Sequence, residues 1–302
     1  MITNSLQSAI ESWRQGVEFI MFHGDCFELL QEIPSNSIGF ILSSPPYFMG
    51  KTYDYSYSID DFSKDHKTIA PLIVKSLMKN RSICWQTGYH AQHGTVFPLD
   101  FAVHEVFSAI KKLSLRNRII WHFGHGAHCQ RRFSGRHETV LWYTKGEDYH
   151  FDLDSVRVAQ KYPGKRHYKG PNQGKLSGNP HGKNPSDVWA IPNVKAAHVE
   201  KTGHPCQFPV ALAQRLTKAL TKSGETVLDP FAGSGSTGIA AILEGRSFIG
   251  ADISLEFCEI ANERYERLKE GKLRIRPLDR PIRTPKENEA VSRRPDHFRQ
   301  FA

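Results

Sequence analysis

The chain is poor in cysteine and has no long apolar run. Its five cysteines are an odd number and include no C-x-x-C pair, which is typical of reduced thiols in a cytoplasmic protein. No segment approaches the roughly 20 apolar residues that span a bilayer, and the first 15 residues lack the apolar core of a signal peptide. We therefore expect a cytoplasmic protein with no membrane partner.

Acidic residues are scarce in two segments. Residues 157–204 hold nine Lys or Arg and two acids, and residues 272–302 hold nine against four. The net charge of the whole chain is +9, so the remaining residues are slightly acidic. Two basic segments on a nearly neutral body predict a polyanionic partner such as nucleic acid, although a solvated, disordered tail is the alternative for the second segment.

Outside these segments, apolar strands alternate with helices. The predicted strands are 17–22, 38–42, 82–86, 118–123, 138–143, the run ending at Asp229, and 247–252. The predicted helices are 5–14, 26–33, 59–79, 98–113, 207–222, the one ending near 243, and 255–269. Such alternation over 302 residues predicts an α/β fold with a doubly wound, mostly parallel sheet. Residues 48–57 are expected to form a loop, and the Gly- and Pro-rich residues 155–205 an insertion outside the core.

A glycine-rich turn follows the strand that ends at Asp229. Glycines 233, 235 and 238 give the pattern G-x-G-x-x-G, and Asp252 ends the next apolar run. Glycine lets the backbone approach a ligand closely, and the acidic residue can accept hydrogen bonds from ribose hydroxyls. The pattern predicts a nucleotide-like cofactor without saying which one.

The position of this turn is unusual for a dinucleotide site. A dinucleotide-binding fold begins with its glycine fingerprint, whereas only one strand and one helix follow Asp252 here. The N-terminal strands must therefore complete the sheet. This order predicts a circular permutation of the two halves.

A second motif, S-P-P-Y at residues 44–47, ends the strand at 38–42. Together with D-P-F-A-G-S-G-S-T at 229–237, it resembles the DNA amino-methyltransferases that use S-adenosylmethionine, and the order of the motifs resembles their β class. Further likeness lies at 24–26, 136–138 and 204–209. The resemblance implies a Rossmann-like methyltransferase fold, S-adenosylmethionine as cofactor with S-adenosylhomocysteine as product, no metal, and double-stranded DNA as partner. It also implies a homodimer as one oligomeric state.

The resemblance divides the chain into four parts. Residues 1–154 would be the catalytic half of the methyltransferase domain and residues 206–270 its cofactor-binding half. Between them, residues 155–205 would form a basic target-recognition region, and residues 271–302 a basic tail.

The S-P-P-Y motif suits transfer to an exocyclic amino group. That group is a poor nucleophile and is inaccessible in a duplex, so the base must be flipped out. A side-chain acceptor and a backbone carbonyl can each take one amino hydrogen and aim the nitrogen at the methyl group, while prolines fix the backbone and an aromatic ring stacks on the base. Alone, the segment would be interpreted as a rigid turn at a strand end. The catalytic residues implied are Ser44, with its side-chain acceptor, Pro45, with its carbonyl, Pro46 and Tyr47.

The resemblance places the methionine part of the cofactor against residues 231–235, its ribose on Asp252 and its adenine near Asp25, which is also the expected N-cap of the helix at 26–33. Asp229 would orient the loop or contact the cofactor amino group, and residues 204–207 would line the site or simply begin a helix. The cofactor-binding residues implied are Asp25, Cys26, His204, Pro205, Gln207, Asp229, Pro230, Phe231, Ala232, Gly233, Ser234, Gly235, Ser236 and Asp252.

The cations between residues 157 and 201 would contact DNA, mainly at phosphates. The DNA-binding residues implied are Lys161, Lys165, Arg166, Lys169, Lys175 and Lys183. Trp189 is expected to pack rather than intercalate. The spacing of His122, His125, His128 and Cys129 allows zinc, but neighbouring arginines and a reaction that needs no metal favour a loop that faces DNA or a second subunit.

The expected function is a site-specific DNA methyltransferase acting on adenine N6. Cytosine N4 is the alternative, since a leading serine in S-P-P-Y is commonly associated with cytosine in these enzymes. An NAD-dependent oxidoreductase and a non-catalytic DNA-binding module are more distant alternatives. Neither of these gives a role to both the 44–47 segment and the glycine-rich turn.

Overall fold

A computed structural model describes residues 1–47, 58–92, 94–124, 126, 128–195, 197–283 and 285–293. The strands are β1 (Ile2–Thr3), β2 (Phe19–His23), β3 (Ile38–Ser43), β4 (Leu77–Thr87), β5 (Tyr89–Gln92), β6 (Thr95–Pro98), β7 (Leu113–His122), β8 (His137–Lys145), β9 (Val188–Ala190), β10 (Thr226–Asp229) and β11 (Ser247–Asp252). The α-helices are α1 (Leu6–Arg14), α2 (Cys26–Glu32), α3 (Ile59–Ser76), α4 (Leu99–Ser108), α5 (Val210–Leu220), α6 (Ser236–Leu243) and α7 (Leu255–Lys269). The loop predicted at 48–57 lies outside the described residues.

Each predicted helix and strand is present, but several boundaries differ. The helix predicted to reach residue 113 ends at Ser108, and residues 109–112 form a turn that leads to β7. The helix predicted to reach residue 79 ends at Ser76, because the residues beyond it pair in β4. Sheet hydrogen bonding there overrides local helix preference. The sequence did not predict β1, the β5–β6 hairpin or β9, each of which has four residues or fewer.

In the described part of the chain, one mixed sheet of nine strands forms the centre of the fold. The strand order is β1-β2-β11-β10-β3-β4-β8-β7-β9, and neighbours are parallel except for the pairs β4/β8 and β8/β7. This confirms the predicted doubly wound, mostly parallel sheet.

Alternate residues of the central strands face two hydrophobic layers. Phe19 and Met21 of β2 pack in a cluster with α5, α6 and α7. Ile20 and Phe22 of the same strand pack in a second cluster with α1, α2, α3 and α4. This period of two buries both faces of the sheet, so each layer of helices covers one face.

The C-terminal strand β10 lies at the centre of the sheet, between β11 and the N-terminal β3. Leu228 pairs with Ile41 on one side, and Asp229 pairs with Gly250 on the other. Helix α6 leads from β10 to β11, and α3 leads from β3 to β4 in the opposite direction, so β10 and β3 form the topological switch point. Ligands of open α/β sheets bind beyond the carboxyl ends of the strands at such a point.

The predicted insertion contributes to the core at its C-terminal end. Strand β9 extends the sheet beside β7, with Trp189 opposite Trp121, and Trp189, Ile191 and Val194 are buried. The expectation that residues 155–205 lie outside the core is therefore wrong for Trp189, Ile191 and Val194, and for Val156 near the other end of the insertion, while the predicted packing of Trp189 is confirmed. Within the described ranges, no helix is long and apolar enough to cross a membrane.

Candidate active site

Four parallel strands, β2, β11, β10 and β3, end at the same edge of the sheet. Their last residues are His23, Asp252, Asp229 and Ser43. The amide of Gly24 donates to the carbonyl of Asp252 at 3.0 Å, which joins two of these ends. The two predicted motifs, at 44–47 and 229–237, therefore begin side by side although they are far apart in sequence.

A buried carboxylate joins the two motifs. Ser43 Oγ donates to Asp229 Oδ1 at 2.5 Å, and Thr237 Oγ1 donates to Asp229 Oδ2 at 2.6 Å. The amide of Phe231 donates to Oδ1 at 3.1 Å, and Asp229 has no exposed surface. Burial raises its pKa to about 6, against the opposing effect of the Ser43 and Thr237 hydrogen bonds. Of the two roles predicted for Asp229, this geometry supports orienting the loop.

The glycine-rich loop turns beneath the end of β11. Gly233 has φ +50°, and a Cβ there would lie 2.8 Å from His204 Nε2, so only glycine allows this approach. The Gly233 amide donates to Asp252 Oδ2 at 3.0 Å, and the Ser254 amide to Oδ1 at 2.9 Å. A carboxylate has about four accepting positions, so Asp252 keeps accepting capacity for a ligand. Burial raises its pKa, while the two amides lower it.

An ion pair supports the same loop from behind. Arg264 Nη1 donates to the carbonyl of Ser234 at 2.6 Å, and its Nη2 lies 4.0 Å from Glu200 Oε2. Both side chains are almost fully buried, and burial lowers the pKa of Arg264 to about 10 although Glu200 opposes the shift. Glu200 also accepts from the amides of Val210 and Arg276. The end of the insertion, α7 and the start of the tail are thereby joined behind the loop.

The 44–47 segment continues directly from the bonded Ser43. Pro45 is buried, Pro46 is exposed, and the hydroxyl of Tyr47 is buried without a hydrogen-bond partner in the described chain. Tyr47 Cε2 lies 3.2 Å from the point where a Cβ on Gly88 would stand, so the ring passes directly over Gly88. Burial, followed by the nearby Glu138 carboxyl, raises the pKa of Tyr47.

Glu138, on β8, lies next to Tyr47 and Gly88. It accepts a hydrogen bond from Gln86 Nε2 on β4, and burial raises its pKa to about 7 while Gln86 and Lys195 oppose the shift. A recess of about 230 Å³ lies beside it, lined in part by Gly88, Tyr89 and Glu138. A carboxyl group that changes charge near neutral pH therefore lies close to Tyr47, the last residue of the predicted catalytic segment.

The remaining predicted cofactor residues divide into two groups. Asp25 caps α2 by accepting from the Phe27 amide at 2.8 Å, as predicted, and His204 packs edge-on to Phe257 beside Gly233. Phe231 is partly exposed and lies edge-on to Trp85, and Pro205 is exposed. The rest of the loop is buried, with Ser236 Oγ donating to the Phe208 carbonyl. The buried loop residues are Pro230, Ala232, Gly233, Ser234, Gly235 and Ser236.

Two predicted cofactor residues have structural surroundings instead. The Cys26 thiol packs in the hydrophobic cluster beneath α2, where burial raises its pKa to about 12. Gln207 accepts from Thr202 Oγ1 and donates to the Glu200 carbonyl, so both ends of its amide are held by the protein. These contacts do not support a side-chain role for either residue in binding a cofactor.

The predicted DNA-binding residues share one exposed arm, residues 158–183. Val158 and Lys183 pair at its base, and Arg166 and Leu176 pair further out. This basic arm contains six Lys or Arg and no acid. All six predicted cations are exposed: Lys161, Lys165, Arg166, Lys169, Lys175 and Lys183.

His125 of the histidine cluster lies outside the described residues. Elsewhere in the described chain, no group of three or more His, Cys, Asp or Glu side chains could hold a metal ion.

Several site residues were not predicted: Ser43, Gln86, Glu138, Glu200, Thr237 and Arg264. A charged residue at 264 in line with the buried Cys258 and Ala261 of α7 was a signal, because a charge on the apolar side of a helix requires a partner. Ser43, Gln86 and Glu138 meet their partners through the register of the strands, which local sequence does not reveal. Glu200 meets Arg264 through the packing of α7, and Thr237 meets Asp229 across the glycine-rich turn.

A sheet whose switch point carries a glycine-rich loop and an acidic strand end defines a nucleotide-cofactor enzyme of the Rossmann-like class. Residues 38–263 match the N6/N4 family of DNA methylases, and the chain belongs to that family. This confirms the predicted family and enzyme class.

Three similar proteins illustrate the family. The type II methyltransferase M.BglII of Bacillus subtilis is 41% identical over 242 residues, covering 80% of this chain and 67% of the relative. The structure of PvuII DNA methyltransferase, named cytosine-N4-specific, matches with a TM-score of 0.66 at 20% identity, covering 82% of this chain and 86% of that one. TTHA0409 of Thermus thermophilus, solved in complex with S-adenosyl-L-methionine, matches with a TM-score of 0.60 at 23% identity, covering 88% and 100%. The two structural likenesses confirm the Rossmann-like fold.

Proposed function

We propose that this DNA methylase transfers a methyl group from S-adenosylmethionine to the exocyclic amino group of a base flipped out of double-stranded DNA. The hydrogen bond between Ser43 and Asp229 supports this proposal most strongly. It fixes the start of the 44–47 segment against the start of the cofactor loop. A base held by the first would therefore face a methyl donor held by the second.

The residues at the loop fit S-adenosylmethionine. Asp252 has accepting positions left for ribose hydroxyls, and Phe231 offers a partly exposed aromatic surface. The glycine at 233 brings the backbone close to His204. A dinucleotide would use the same loop but would leave the 44–47 segment and the basic arm without a role.

When bound, the cofactor supplies an electrophilic methyl group on a sulfonium sulfur. The Ser44 hydroxyl and the Pro45 carbonyl each accept a hydrogen bond from the amino group. These two hydrogen bonds draw the nitrogen lone pair out of conjugation with the ring. The nitrogen bonds to the methyl carbon as the carbon–sulfur bond breaks, the bonding electrons stay on sulfur, and the amino group loses one proton to solvent. The buried Asp229 positions both segments and takes no part in this proton transfer.

The basic arm supplies the DNA contacts. Six exposed cations without an intervening acid complement a phosphate backbone, and the exposed Tyr162 and Tyr168 provide aromatic surface among them. The arm begins 13 residues after β8 ends, and the chain returns to the sheet at β9. The arm therefore extends from the end of the sheet that contains β8 and β9, where it can hold DNA. A homodimer, implied by the resemblance, would double this surface.

Two bases carry an exocyclic amino group that fits this geometry. The permuted order favours adenine N6, as expected from the sequence, whereas Ser44 at the head of the motif favours cytosine N4, the base named for the PvuII enzyme. The hydrogen-bonding arrangement is the same for both. Mass spectrometry of the methylated nucleosides distinguishes them.

Genomic DNA from cells expressing the chain should be sequenced for modified bases and its nucleosides analysed by mass spectrometry. We expect one methylated motif containing either N6-methyladenine or N4-methylcytosine. Ser44→Ala and Tyr47→Ala should abolish the modification while S-adenosylhomocysteine still raises the melting temperature. Tyr47→Phe is the matched control, because it keeps the ring and removes a hydroxyl that has no partner in the described chain. Absence of any modified motif, or stabilisation by NADH instead, would refute the proposal.

A further inference from the structure

The segment 128–136, here the arginine loop, joins β7 to β8 and contains three arginines and no acid. Strand β8 begins where the parallel strands end, since Thr139 pairs with Thr87 near the end of β4. The arginine loop therefore lies at the same edge of the sheet as the catalytic segment. The proposed reaction gives it no role.

Phe133 stands at the tip of this loop and is 100% exposed. A single exposed apolar residue is common on protein surfaces and needs no explanation by itself. Its neighbours are unusual, however, because Arg131 is exposed and Arg132 partly exposed on the same turn. A phenyl ring beside two guanidinium groups suits a partner that offers both an apolar stack and negative charge.

The arginine loop is structured, so the ring is held outward. Ser134 Oγ accepts from the Cys129 amide at 3.0 Å, and the Phe123 amide donates to the Arg136 carbonyl at 3.0 Å. The Arg132 guanidinium lies 5.6 Å from the centre of the Tyr89 ring. These contacts hold the backbone on both sides of Phe133.

The loop also forms the rim of the recess next to Tyr47. Arg132, Gly135 and Glu138 line that recess together with Gly88, over which the Tyr47 ring passes. Phe133 directly follows Arg132, so its exposed ring lies next to the rim of a recess that reaches Gly88 beneath the Tyr47 ring. DNA that delivers a base to this motif would pass the Phe133 side chain.

We propose that Phe133 inserts into the base stack of DNA where the target base has flipped out, with Arg131 and Arg132 on the flanking phosphates. This inference rests on the proposed function. Flipping costs unstacking and unpairing energy and leaves a gap, and apolar side chains of other DNA-binding proteins enter base steps in this way. The phenyl ring would replace the lost stacking and hold the flipped state open.

The test uses the full-length chain and duplexes that carry the motif found by sequencing. One duplex has a normally paired target base, and a second has the target mispaired, so that flipping costs less. Phe133→Ala should lower the methylation rate of the paired duplex by at least about tenfold and that of the mispaired duplex by less than about threefold. Phe133→Trp should restore the rate on the paired duplex. Fluorescence of 2-aminopurine at the target position should rise with the wild type and with Phe133→Trp, but not with Phe133→Ala.

Phe101→Ala is the control, because it removes another exposed phenyl ring, on α4; it should match the wild type on both duplexes. Thermal stabilisation by S-adenosylhomocysteine should be the same for all variants, which shows that each is folded. Equal loss on both duplexes, no loss on either, or a change in sedimentation mass of Phe133→Ala would overturn the proposal, and a change in mass would assign the ring to a subunit contact. Failure of the wild type to methylate any DNA would instead refute the proposed function.

Discussion

Glu200 and Arg264 lie buried behind the cofactor loop, with Oε2 and Nη2 4.0 Å apart. Glu200 lies near the C-terminal end of the insertion, whereas Arg264 lies on α7 and donates a hydrogen bond to the carbonyl of Ser234 in the loop. Removing one partner of a buried pair leaves the other charge without compensation, which costs more than the pair itself contributes. The loop therefore depends on two residues that are distant from it in sequence, since Glu200 precedes the loop and Arg264 follows it.

Glu200→Ala should lower the free energy of unfolding by about 3–5 kcal/mol, because the buried Arg264 loses its counter-charge and two backbone amides lose their acceptor. Chemical denaturation measures this loss. Adding Arg264→Met to Glu200→Ala should recover part of it. Glu263→Ala, which breaks an exposed pair with Arg267, is the control and should change stability by less than about 1 kcal/mol. Equal effects of the two glutamate substitutions would contradict this account.

Asp229→Ala should destabilise the fold by about 3 kcal/mol or more, since it leaves the donors of Ser43, Thr237 and Phe231 buried without an acceptor. Asp229→Asn should cost clearly less, because the amide oxygen still accepts and the Thr237 hydroxyl can accept from the amide nitrogen. Denaturation gives the stabilities, and calorimetry with S-adenosylhomocysteine gives binding. A loss of stability with Asp229→Asn as large as that with Asp229→Ala would contradict this account.

Gly235→Ala should lower stability by about 2 kcal/mol or more and weaken cofactor binding. Gly235 has φ +72°, and an added Cβ would lie 2.8 Å from the Ala261 Cβ. Gly164→Ala is the matched control, because a Cβ there meets open space. It should change stability by less than about 0.5 kcal/mol. A mild Gly235→Ala variant would show that the left-handed turn is not required.

The stability of the wild type should fall as pH rises from 4.5 to 7. Folding raises the pKa of Glu138 from 4.5 to about 7, so the folded protein holds a proton that the unfolded chain releases in this interval. Asp229 acts in the same direction between 3.8 and about 6. Glu138→Gln removes one of these groups, so its pH-dependent loss should be smaller by up to about 3 kcal/mol.

Thermal melts across this pH range, with Glu287→Gln as an exposed control, check the effect of Glu138. Coincident pH profiles of Glu138→Gln and the wild type would show that folding does not raise the pKa of Glu138.

Lys165→Gln and Lys169→Gln should each reduce the slope of log affinity against log salt by about 0.9, without changing S-adenosylhomocysteine binding. Fluorescence anisotropy of labelled duplex at several salt concentrations measures the slope. Lys222→Gln, on the exposed turn before β10 at the edge of the sheet opposite the 44–47 segment, is the control. An unchanged slope for both arm variants would show that the arm does not contact the DNA phosphates.

The sequence predicted the parts of the site that consist of contiguous residues. The apolar run before Asp229, the glycines after it and the single strand that follows were enough to predict the loop and the permuted order. The pair of Glu200 and Arg264 could not be predicted, because its members meet only when α7 packs behind the loop. Strand β9 was missed because three residues among glycines and prolines carry no periodic signal, and their pairing partner, β7, is far away in sequence. The position of Glu138 beside Gln86 likewise follows from the register of β4 and β8.

The position of β10 between β11 and β3 has a consequence for synthesis on the ribosome. The first 150 residues supply strands for both sides of the sheet, but the two strands between β2 and β3 are residues 226–252. Until those residues emerge, Phe40 and Ile41 on β3 and Phe19 and Ile20 on β2 have no neighbouring strand on the side that β10 and β11 will fill. Contacts between such distant segments form slowly, and unpaired strand edges invite aggregation. We therefore expect the nascent chain to acquire its native sheet only after residue 252 has left the ribosome.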